Sequence, residues 1–331
     1  MFVPQQLNSS PVLVIDGNAV VHRAFHARIG KWAQNTSVVQ ANDHTRREGL
    51  SGVLTLLADI ANQVQPGATV VGFDTPGGSF RCNEWPAYKA QRPPKSDALR
   101  DLLARTPELL DALGISVECH DPFEADDVCG SVAANAEGQG QHCVIATADR
   151  DAFGLITGYT RVLHLSPGLG NHALIDRDKL YAKYGVQANQ YTQFAALRGD
   201  PSDNLPGVKG IGPKRAAQLL QRYPTIEDAI HDPTGCLDVL GARLGKALLD
   251  DWHDEHSMTR RNIALMTIQT NVPIRPETYA DRAPVDQVQA VLEDNGLGAM
   301  AWRTCLAFGE PGEHPPLPDE PWPLAFGDEI I

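Results

Sequence analysis

Residues 199–220 have the sequence GDPSDNLPGVKGIGPKRAAQLL. The glycines Gly207, Gly210 and Gly212 are spaced for a tight turn, because glycine tolerates positive φ and the close approach of another backbone. Pro213 suits the first position of a helix, and the apolar side chains after it recur with helical spacing. This pattern predicts a bare hairpin that leads directly into the N-terminus of a helix.

The predicted hairpin carries basic side chains and no acidic ones. Lys209, Lys214 and Arg215 surround the start of the helix, and no acidic residue lies between Asp203 and Glu227. Free N–H groups and the helix dipole attract anions at a helix N-terminus. The segment is similar to the hairpin of helix-hairpin-helix modules, so we expect it to bind DNA phosphates without sequence preference. An ordinary glycine-rich connection between helices is the alternative.

The chain is acidic overall but has the apolar content of an ordinary globular protein. Its 331 residues suffice for two domains or one large one, and 42% of them are hydrophobic. It carries 41 acidic and 28 basic side chains, a net charge of −13, which by itself argues against a nucleic-acid partner. That argument loses its force if the acids gather as metal ligands while the bases gather elsewhere.

The cysteines and the N-terminus bear on the cellular compartment. The six cysteines are scattered and form no C-x-x-C pair, so we expect reduced core residues rather than a structural zinc site. The first ten residues carry no positive charge and no long apolar run, so we expect no signal peptide. No stretch approaches the length of a membrane span. These features predict a cytoplasmic protein without a membrane partner.

Short apolar runs alternate with helical patterns over the first half of the chain. The runs cover residues 12–15, 69–73, 115–119, 142–147 and 162–165, and the pattern turns helical beyond Asp176. Strands that alternate with helices indicate an α/β fold with a doubly wound, mostly parallel sheet, here followed by a helical domain.

Acidic residues follow the predicted strands at the points where those strands end. Asp16, Asp74 and Asp149 each come directly after a strand. Because functional groups gather beyond the carboxyl ends of parallel strands, we expect these residues at one edge of the sheet. The helix after the third strand begins with further acids at the same edge, Glu124, Asp126 and Asp127. Taken singly, they have structural alternatives: Asp16 and Asp149 suit N-caps, and Asp121 with Glu124 fits a capping box.

Three more acids, Asp151, Asp200 and Asp203, bring the set to about nine carboxylates, whose mutual repulsion would cost several kcal/mol unless they are paired or bound to metal. Hard divalent cations such as Mg²⁺ are the natural counter-charge for oxygen ligands. Asp200 and Asp203 lie just before the hairpin, where they would repel DNA unless a metal ion sits between them. The sequence therefore predicts a metal site next to a phosphate site.

Several motifs occur together, in one order, along residues 10–295. They are VIDGNA at 14–19 with HRAFHA at 22–27, FD at 73–74, FR at 80–81 with YKAxRP at 88–93, EADD at 124–127, TADRD at 147–151, and GDxxDN at 199–204 with the hairpin. In this combination the chain resembles the 5′-nuclease family, which includes the 5′→3′ exonuclease domain of bacterial DNA polymerase I, phage 5′-exonucleases and flap endonucleases. The resemblance implies a PIN-like or resolvase-like catalytic domain with a helical arch at 1–185, a helix–three-turn–helix (helix-hairpin-helix) domain with C-terminal helices at 186–300, and a tail at 301–331.

The resemblance also implies roles for individual residues. The metal ligands of the family match Asp16, Asp74, Glu124, Asp126, Asp127, Asp149, Asp151, Asp200 and Asp203. Lys89 matches a catalytic lysine at the base of an arch that admits single strands, with Arg92 beside it; a solvated basic face is the alternative for both. Arg81 matches a family arginine and is expected to contact DNA. Main-chain carbonyls between Gly207 and Gly212 would hold K⁺ against a duplex phosphate, with Lys209, Gly210, Lys214 and Arg215 as further DNA contacts.

The implied activity is that of a structure-specific 5′ nuclease. It would hydrolyse DNA that carries a 5′ single-stranded end or flap, as 5′→3′ exonuclease and flap endonuclease, with two or more Mg²⁺ or Mn²⁺ ions. No polymerase domain follows, so we expect a free-standing bacterial enzyme. The alternatives are a non-catalytic DNA-junction-binding protein on the same fold and a metal-dependent ribonuclease. The sequence leaves protein partners unknown.

Two segments depart from the family pattern. Residues 28–47 show little likeness to the Gly/Pro-rich segment that family members carry after the first helix. The last twenty or so residues are rich in proline and acid. We expect this tail to be disordered or loosely packed, with a partner-binding peptide as the alternative.

Overall fold

A six-stranded sheet forms the centre of the computed structural model, which describes residues 10–30, 39–165, 172–275, 279 and 282–310. Its strands are β1 Val12–Asp16, β2 Ala68–Gly72, β3 Ser116–Glu118, β4 Cys143–Thr147, β5 Thr160–His164 and β6 Ala173–Ile175. Their order is β3-β2-β1-β4-β5-β6, and every pair is parallel except β5 with β6. The predicted α/β fold with a doubly wound, mostly parallel sheet is confirmed. The antiparallel sixth strand was not predicted.

The central strands are buried on both faces, which explains their continuous apolar runs. All five residues of β1 and of β4 are buried. Leu13 and Ile15 point into one hydrophobic core, while Val12 and Val14 point into the other. A parallel sheet covered by helices on both sides requires apolar side chains at every position of its inner strands.

The described part of the chain contains fourteen α-helices. They are α1 Gly17–Arg28, α2 Asp43–Val64, α3 Phe80–Glu84, α4 Asp97–Ala112, α5 Ala125–Gly138, α6 Arg177–Tyr184, α7 Tyr191–Arg198, α8 Pro213–Arg222, α9 Ile226–His231, α10 Pro233–Leu240, α11 Ala242–His253, α12 Met258–Met266, α13 Val285–Asp294 and α14 Ala301–Phe308. One core contains side chains of α1, α2, α4, α13 and α14; the other contains those of α5 and of helices from α6 to α12. No helix among the described residues is long and apolar enough to cross a membrane.

The hairpin connects α7 to α8 as the glycine pattern predicted. A short antiparallel ladder joins β7 (Gly199–Asp200) to β8 (Leu205–Pro206) just before it. A Cβ on Gly207 would lie 2.4 Å from the backbone of Arg198, so only glycine allows the two segments to meet here. Gly210 has a φ of +92°, in the left-handed region that glycine adopts without strain.

The C-terminal helices belong to the sheet side of the molecule rather than to the hairpin side. We predicted C-terminal helices up to residue 300 with the second domain and a tail from 301. In the structure, Leu292 of α13 and Cys305 of α14 are fully buried in the core that contains α2 and α4. The first part of the predicted tail is therefore a packed helix, and residues 311–331 lie outside the described residues.

The segment that departs from the family pattern is partly helical. α2 begins at Asp43, seven residues before the helical periodicity that starts at Leu50. Asn42 and Thr45 form a capping box there, in which Thr45 N–H donates to Asn42 Oδ1 and Asn42 N–H donates to Thr45 Oγ1. The first turn carries only polar side chains, so the start of this helix is visible in the sequence only through the cap residues. Residues 31–38 lie outside the described residues.

Candidate active site

The carboxyl ends of β1, β2 and β4 bring three of the predicted acids to one edge of the sheet. Asp16 is buried at the end of β1, where its carboxylate accepts hydrogen bonds from Ala19 N–H at 2.9 Å and from Thr147 Oγ1 at 2.8 Å. The bond to Ala19 makes Asp16 the N-cap of α1, as the structural alternative proposed. Asp149 N–H donates to the same Thr147 hydroxyl at 3.0 Å, which connects β1 with the loop after β4.

Asp74 is held at this edge by two different elements. Its Oδ1 accepts Ala125 N–H, at the first residue of α5, at 2.9 Å. Its Oδ2 accepts Asn18 Nδ2 at 2.7 Å, and Asp74 N–H donates back to Asn18 Oδ1 at 3.0 Å. Asn18 was not among the predicted site residues. Its place directly after the first strand was the signal that could have identified it.

Asp126, at the head of α5, faces the other carboxylates without a hydrogen-bond partner. Among the described residues, no donor reaches its buried Oδ1. Burial raises the pKa of Asp126 well above its usual range, and the charges of Asp149 and Asp16 raise it further. An orphaned carboxylate oxygen aimed at like charges is costly unless a cation is present, so the residue fits a metal ligand.

The remaining acids extend the cluster toward the hairpin. Burial raises the pKa of Asp151, and the charges of Asp149, Asp200 and Asp203 add to that effect. Asp200 Oδ1 accepts Ser202 N–H at 2.8 Å, which turns the chain at the end of β7. The sequence-predicted acids Asp16, Asp74, Asp126, Asp149, Asp151, Asp200 and Asp203 therefore share one region.

These carboxylates do not form a tight cage. Within residues 10–30, 39–165, 172–275, 279 and 282–310, no three His, Cys, Asp or Glu side chains are arranged to ligate one ion together. This arrangement is compatible with Mg²⁺, which keeps several waters and is usually bound through one or two carboxylates plus substrate phosphate.

Asp16 yields a prediction about stability and pH in the metal-free protein. Burial, with the charges of Asp74 and Asp149, raises its pKa from 3.8 to about 6. Below about pH 4, Asp16 is protonated in both the folded and the unfolded protein and does not affect stability. Above about pH 6 it is ionised in both, and its burial then lowers the free energy of unfolding by roughly 3 kcal/mol, the equivalent of two pKa units. We expect Asp16→Asn to raise the unfolding temperature in EDTA at about pH 8 but not at about pH 4. An equal effect at both pH values would contradict this explanation.

Arg81 and Asp127 form an internal ion pair away from the open edge. Asp127 is fully buried, and both of its oxygens accept guanidinium N–H groups of Arg81 at 2.7 Å. The same oxygens accept Gln269 N–H at 2.8 Å and Glu124 N–H at 3.0 Å. This geometry argues for a structural role for both side chains, in place of the DNA contact predicted for Arg81 and the metal ligand predicted for Asp127. The capping box of α5 likewise pairs Glu124 with Asp127, not Asp121 with Glu124.

Glu124 lies between the open cluster and this internal pair. Ser79 Oγ donates to its Oε1 at 2.8 Å, and Tyr88 Oη and Lys89 Nζ donate to its Oε2 at 3.2 and 3.1 Å. Ser79 and Tyr88 were not among the predicted site residues. They orient a carboxylate that is only 8% exposed.

The turn that carries Lys89 and Arg92 is docked onto the loop that carries Asp200 and Asp203. Lys89 N–H donates to Asp203 O at 3.0 Å, and Arg92 Nη2 donates to Asp203 Oδ1 at 2.6 Å. Burial lowers the pKa of Lys89, but the charges of Glu124, Asp203 and Asp126 outweigh it and raise the pKa. Lys89 is therefore a charged side chain directed at the carboxylates, and only 21% of it is exposed. Such a position does not match a solvated basic face.

Lys89 also has an unusual backbone. Its φ is +55°, in the left-handed region that non-glycine residues rarely adopt. Asn204, also left-handed with a φ of +59°, donates from Nδ2 to Ala87 O at 2.8 Å and so fixes the turn before Lys89. A left-handed lysine that is held in place by hydrogen bonds between two facing loops is typical of functional sites.

The hairpin presents an open basic surface on a buried base. Val208 and Ile211 are buried, whereas Lys209 and Gly210 between them are exposed. The N-cap of α8 is Gly212, which makes no side-chain cap, and no atom lies within 4 Å of a Cβ built on it. Lys214 and Arg215 are exposed in the first turn of α8. Pro213 has no N–H, and the amides of Arg215 and Ala216 donate to Gly212 O at 3.1 and 3.0 Å, so this helix end offers an anion the Lys214 amide, the helix dipole and the basic side chains.

Comparisons with known proteins agree with this architecture. A family model for the 5′-3′ exonuclease N-terminal resolvase-like domain matches residues 11–185, and one for the 5′-3′ exonuclease C-terminal SAM fold matches residues 186–287. DNA polymerase I of Mycobacterium tuberculosis is 31% identical over 320 residues, covering 93% of this chain and 33% of the relative. Thermostable DNA polymerase I of Thermus thermophilus is 33% identical over 317 residues, covering 96% and 35%. The chain thus spans about a third of the length of these curated relatives.

Solved structures show the same fold at low identity. The bacteriophage T5 D15 flap endonuclease, in a complex with DNA and metal ions, aligns with a TM-score of 0.60 at 19% identity, over 89% of this chain and 98% of that one. The catalytic core of Rad2 in complex with a DNA substrate aligns with a TM-score of 0.54 at 15% identity, over 91% and 92%.

Proposed function

The chain belongs to the 5′-3′ exonuclease family, and from this premise we propose that it is a structure-specific 5′ nuclease acting on DNA. Its substrate would be DNA with a 5′ single-stranded end or flap. It would act as a 5′→3′ exonuclease and a 5′-flap endonuclease with two or more divalent ions, Mg²⁺ or Mn²⁺. We place it in the cytoplasm, in DNA replication or repair.

One observation carries the proposal: a carboxylate cluster with more acids than cationic partners borders Lys89 and Arg92 and continues in sequence into the basic hairpin. The buried Oδ1 of Asp126 has no donor among the described residues and faces Asp16 and Asp149. At the border of the cluster, Lys89 forms an ion pair with Glu124, and Arg92 forms one with Asp203. The loop of Asp200 and Asp203 continues directly into the hairpin. A phosphate backbone could contact both basic groups only if cations screened the acids between them.

We assign the metal ligands to the open cluster. They are Asp16, Asp74, Asp126, Asp149, Asp151, Asp200 and Asp203, with Glu124 at its border. When bound, divalent cations would supply an activated water and stabilise the leaving oxygen. Lys89 would place its ammonium group at the scissile phosphate and offset the charge that develops there. Arg92 would hold the same strand beside it.

The hairpin would anchor the duplex part of the substrate through phosphates. The Lys214 amide and the side chains of Lys209, Lys214 and Arg215 offer donors and charge. None of these features would recognise a base. Main-chain carbonyls between Gly207 and Gly212 would hold K⁺ against a phosphate. Binding would therefore depend on DNA structure and not on sequence.

Lys214→Glu tests the hairpin assignment. We expect the affinity for duplex DNA to fall about tenfold for all sequences, because charge is lost at the anion site. The slope of the logarithm of the binding constant against the logarithm of the salt concentration should decrease by about one, which corresponds to one lost phosphate contact. Cleavage of saturating substrate should change less. Arg222→Glu is the matched control, since it lies roughly 12 Å away at the other end of the same helix. Equal affinities for wild type and Lys214→Glu at moderate salt would refute the assignment.

A substrate panel tests the proposed function. The protein in Mg²⁺ should cleave a 5′-labelled flap duplex near the junction, release short products from a recessed 5′ end, and cleave the matching RNA slowly or not at all. A junction-binding protein would instead bind the flap tightly and leave every substrate intact. A ribonuclease would prefer the RNA.

A further inference from the structure

Arg81 uses every donor of its guanidinium group to join three parts of the molecule. The side chain is 3% exposed. Its five N–H groups meet five acceptors: both oxygens of Asp127 at 2.7 Å, Glu124 Oε2 at 3.4 Å, Leu265 O at 2.7 Å and Thr267 O at 3.2 Å. Leu265 lies in the last turn of α12, and Thr267 ends that helix. One buried side chain thus connects α3, the head of α5 and the end of α12.

α12 is also fixed to the hairpin. Asn262 is fully buried, and its Nδ2 donates to Ala196 O at 3.2 Å and to Pro206 O at 2.9 Å. Ala196 lies in α7, and Pro206 is the residue before Gly207. A continuous path of hydrogen bonds therefore leads from the hairpin through Asn262, α12 and Arg81 to the carboxylate of Glu124.

The path also ties the chain after α12 to α5. Gln269 N–H donates to Asp127 Oδ1 at 2.8 Å, and Val272 N–H donates to Ser131 Oγ at 2.9 Å, one helical turn further along α5. A Cβ on Gly130 would lie 2.7 Å from Ile268 Cγ2, so this segment lies directly against the helix. The contact leaves α5 and α12 little freedom to shift relative to each other.

We propose that Arg81 is a positioning residue that sets the register between the hairpin and the metal-binding carboxylates, and so determines which phosphate reaches them. The inference rests on the proposed function. The phosphate held at the hairpin and the phosphate to be cut are separated by a fixed length of DNA, so the distance between the two sites selects the cleavage position. A planar guanidinium group with five hydrogen bonds fixes that distance. A lysine does not, because its side chain is flexible and ends in a single ammonium group.

Arg81→Lys tests the inference, because it keeps a positive charge beside Asp127 but loses the forked contacts. Under single-turnover conditions with saturating protein, we expect cleavage at neighbouring phosphates to rise severalfold and the rate to fall about tenfold to a hundredfold. Affinity for the flap duplex in EDTA should stay within about twofold, since the hairpin itself is unchanged. Ser131→Ala is the matched control: it loosens the same segment on α5 but touches no carboxylate.

A second readout does not depend on cleavage. In EDTA, binding of plain duplex DNA should slow hydrogen exchange at the Gln269 amide in wild type and in Ser131→Ala, but not in Arg81→Lys. Asn262→Ala breaks the same path at the hairpin end and should broaden the cleavage pattern in the same way, which covers the case in which Arg81→Lys does not fold. If the wild type fails to cleave in Mg²⁺, the proposed function fails, while the exchange measurement still decides on the register.

The inference is overturned if Arg81→Lys keeps the cleavage pattern and the exchange protection of the wild type. It is equally overturned if Ser131→Ala broadens cleavage as much as Arg81→Lys does. In that case any loosening of the segment would have the same effect, and Arg81 would hold no special position.

Discussion

Asp149→Asn should lower the single-turnover cleavage rate of a 5′-flap substrate in Mg²⁺ by orders of magnitude and leave the fold intact. The substitution keeps the size of the side chain and an oxygen that can accept Asp151 N–H, a bond of 2.8 Å in the structure. It removes one negative charge from a cluster that needs cations. Because metal activation of water supplies several kcal/mol and each 1.4 kcal/mol is about tenfold in rate, the loss should be large.

Binding separates this result from simple damage. In EDTA, Asp149→Asn should bind the flap substrate at least as tightly as wild type, since repulsion between the carboxylate and DNA phosphate is relieved. If Asp149 were only a structural cap, asparagine would replace it almost without effect, because the two residues rank together at N-caps. Near-wild-type cleavage by both Asp149→Asn and Asp74→Asn would therefore refute the metal-ligand assignment.

Asp127→Asn and Asp126→Asn should have opposite effects on stability although the residues are neighbours. Asp127 is the fully buried, doubly bonded partner of Arg81, so Asp127→Asn leaves the buried guanidinium with only the longer 3.4 Å contact to Glu124 as counter-charge. Breaking such a pair costs about 3–5 kcal/mol. Asp126→Asn removes a carboxylate whose pKa is raised by burial and by Asp149, so it should stabilise the metal-free protein at neutral pH.

The comparison of these two variants is made by thermal unfolding in EDTA and by cleavage in Mg²⁺. Asp127→Asn should unfold at a clearly lower temperature than wild type, and Asp126→Asn at an equal or higher one. Asp126→Asn should nevertheless lose cleavage by orders of magnitude. If Asp127→Asn is as stable as wild type and Asp126→Asn is not, the roles of the two residues are reversed.

The sheet and its acidic edge were predictable because both depend on local patterns. A run such as residues 12–15 predicts a buried strand, and parallel strands place the residues after them at one edge. Asp16, Asp74 and Asp149 could therefore be brought together from the sequence, although 133 positions separate the first from the last. The hairpin was predictable for the same reason, since its glycines and Pro213 have backbone preferences that indicate a turn and a helix start.

The partners of Arg81 and Asp127 were not predictable, because they come from remote parts of the chain. Leu265 and Gln269 contribute a main-chain carbonyl and a main-chain amide, which leave no trace in side-chain identity. A sequence motif shows that Asp126 and Asp127 are adjacent. It does not show that α5 places Asp126 with the other carboxylates and Asp127 against Arg81. The same limit applies to α14, whose packing against α2 follows from the tertiary structure and not from its own short pattern.

Lys89 combines a predictable residue with an unpredictable conformation. Its positive charge near the carboxylates followed from the motif, whereas its left-handed backbone depends on Asp203 O and Asn204 across the gap between two loops. The strain is maintained by contacts more than a hundred residues away in sequence. Loop conformations of this kind are set by the assembled fold.

The most direct test of the account is single-turnover incubation of the wild-type protein with a 5′-labelled flap duplex, in Mg²⁺ and in EDTA. We predict binding under both conditions and cleavage near the junction in Mg²⁺ alone. Tight binding with no cleavage at any Mg²⁺ concentration would contradict the account, because the carboxylate cluster would then have no catalytic role. Equal cleavage in EDTA would contradict it as well, since the reaction would not need the cations that the carboxylates are proposed to hold.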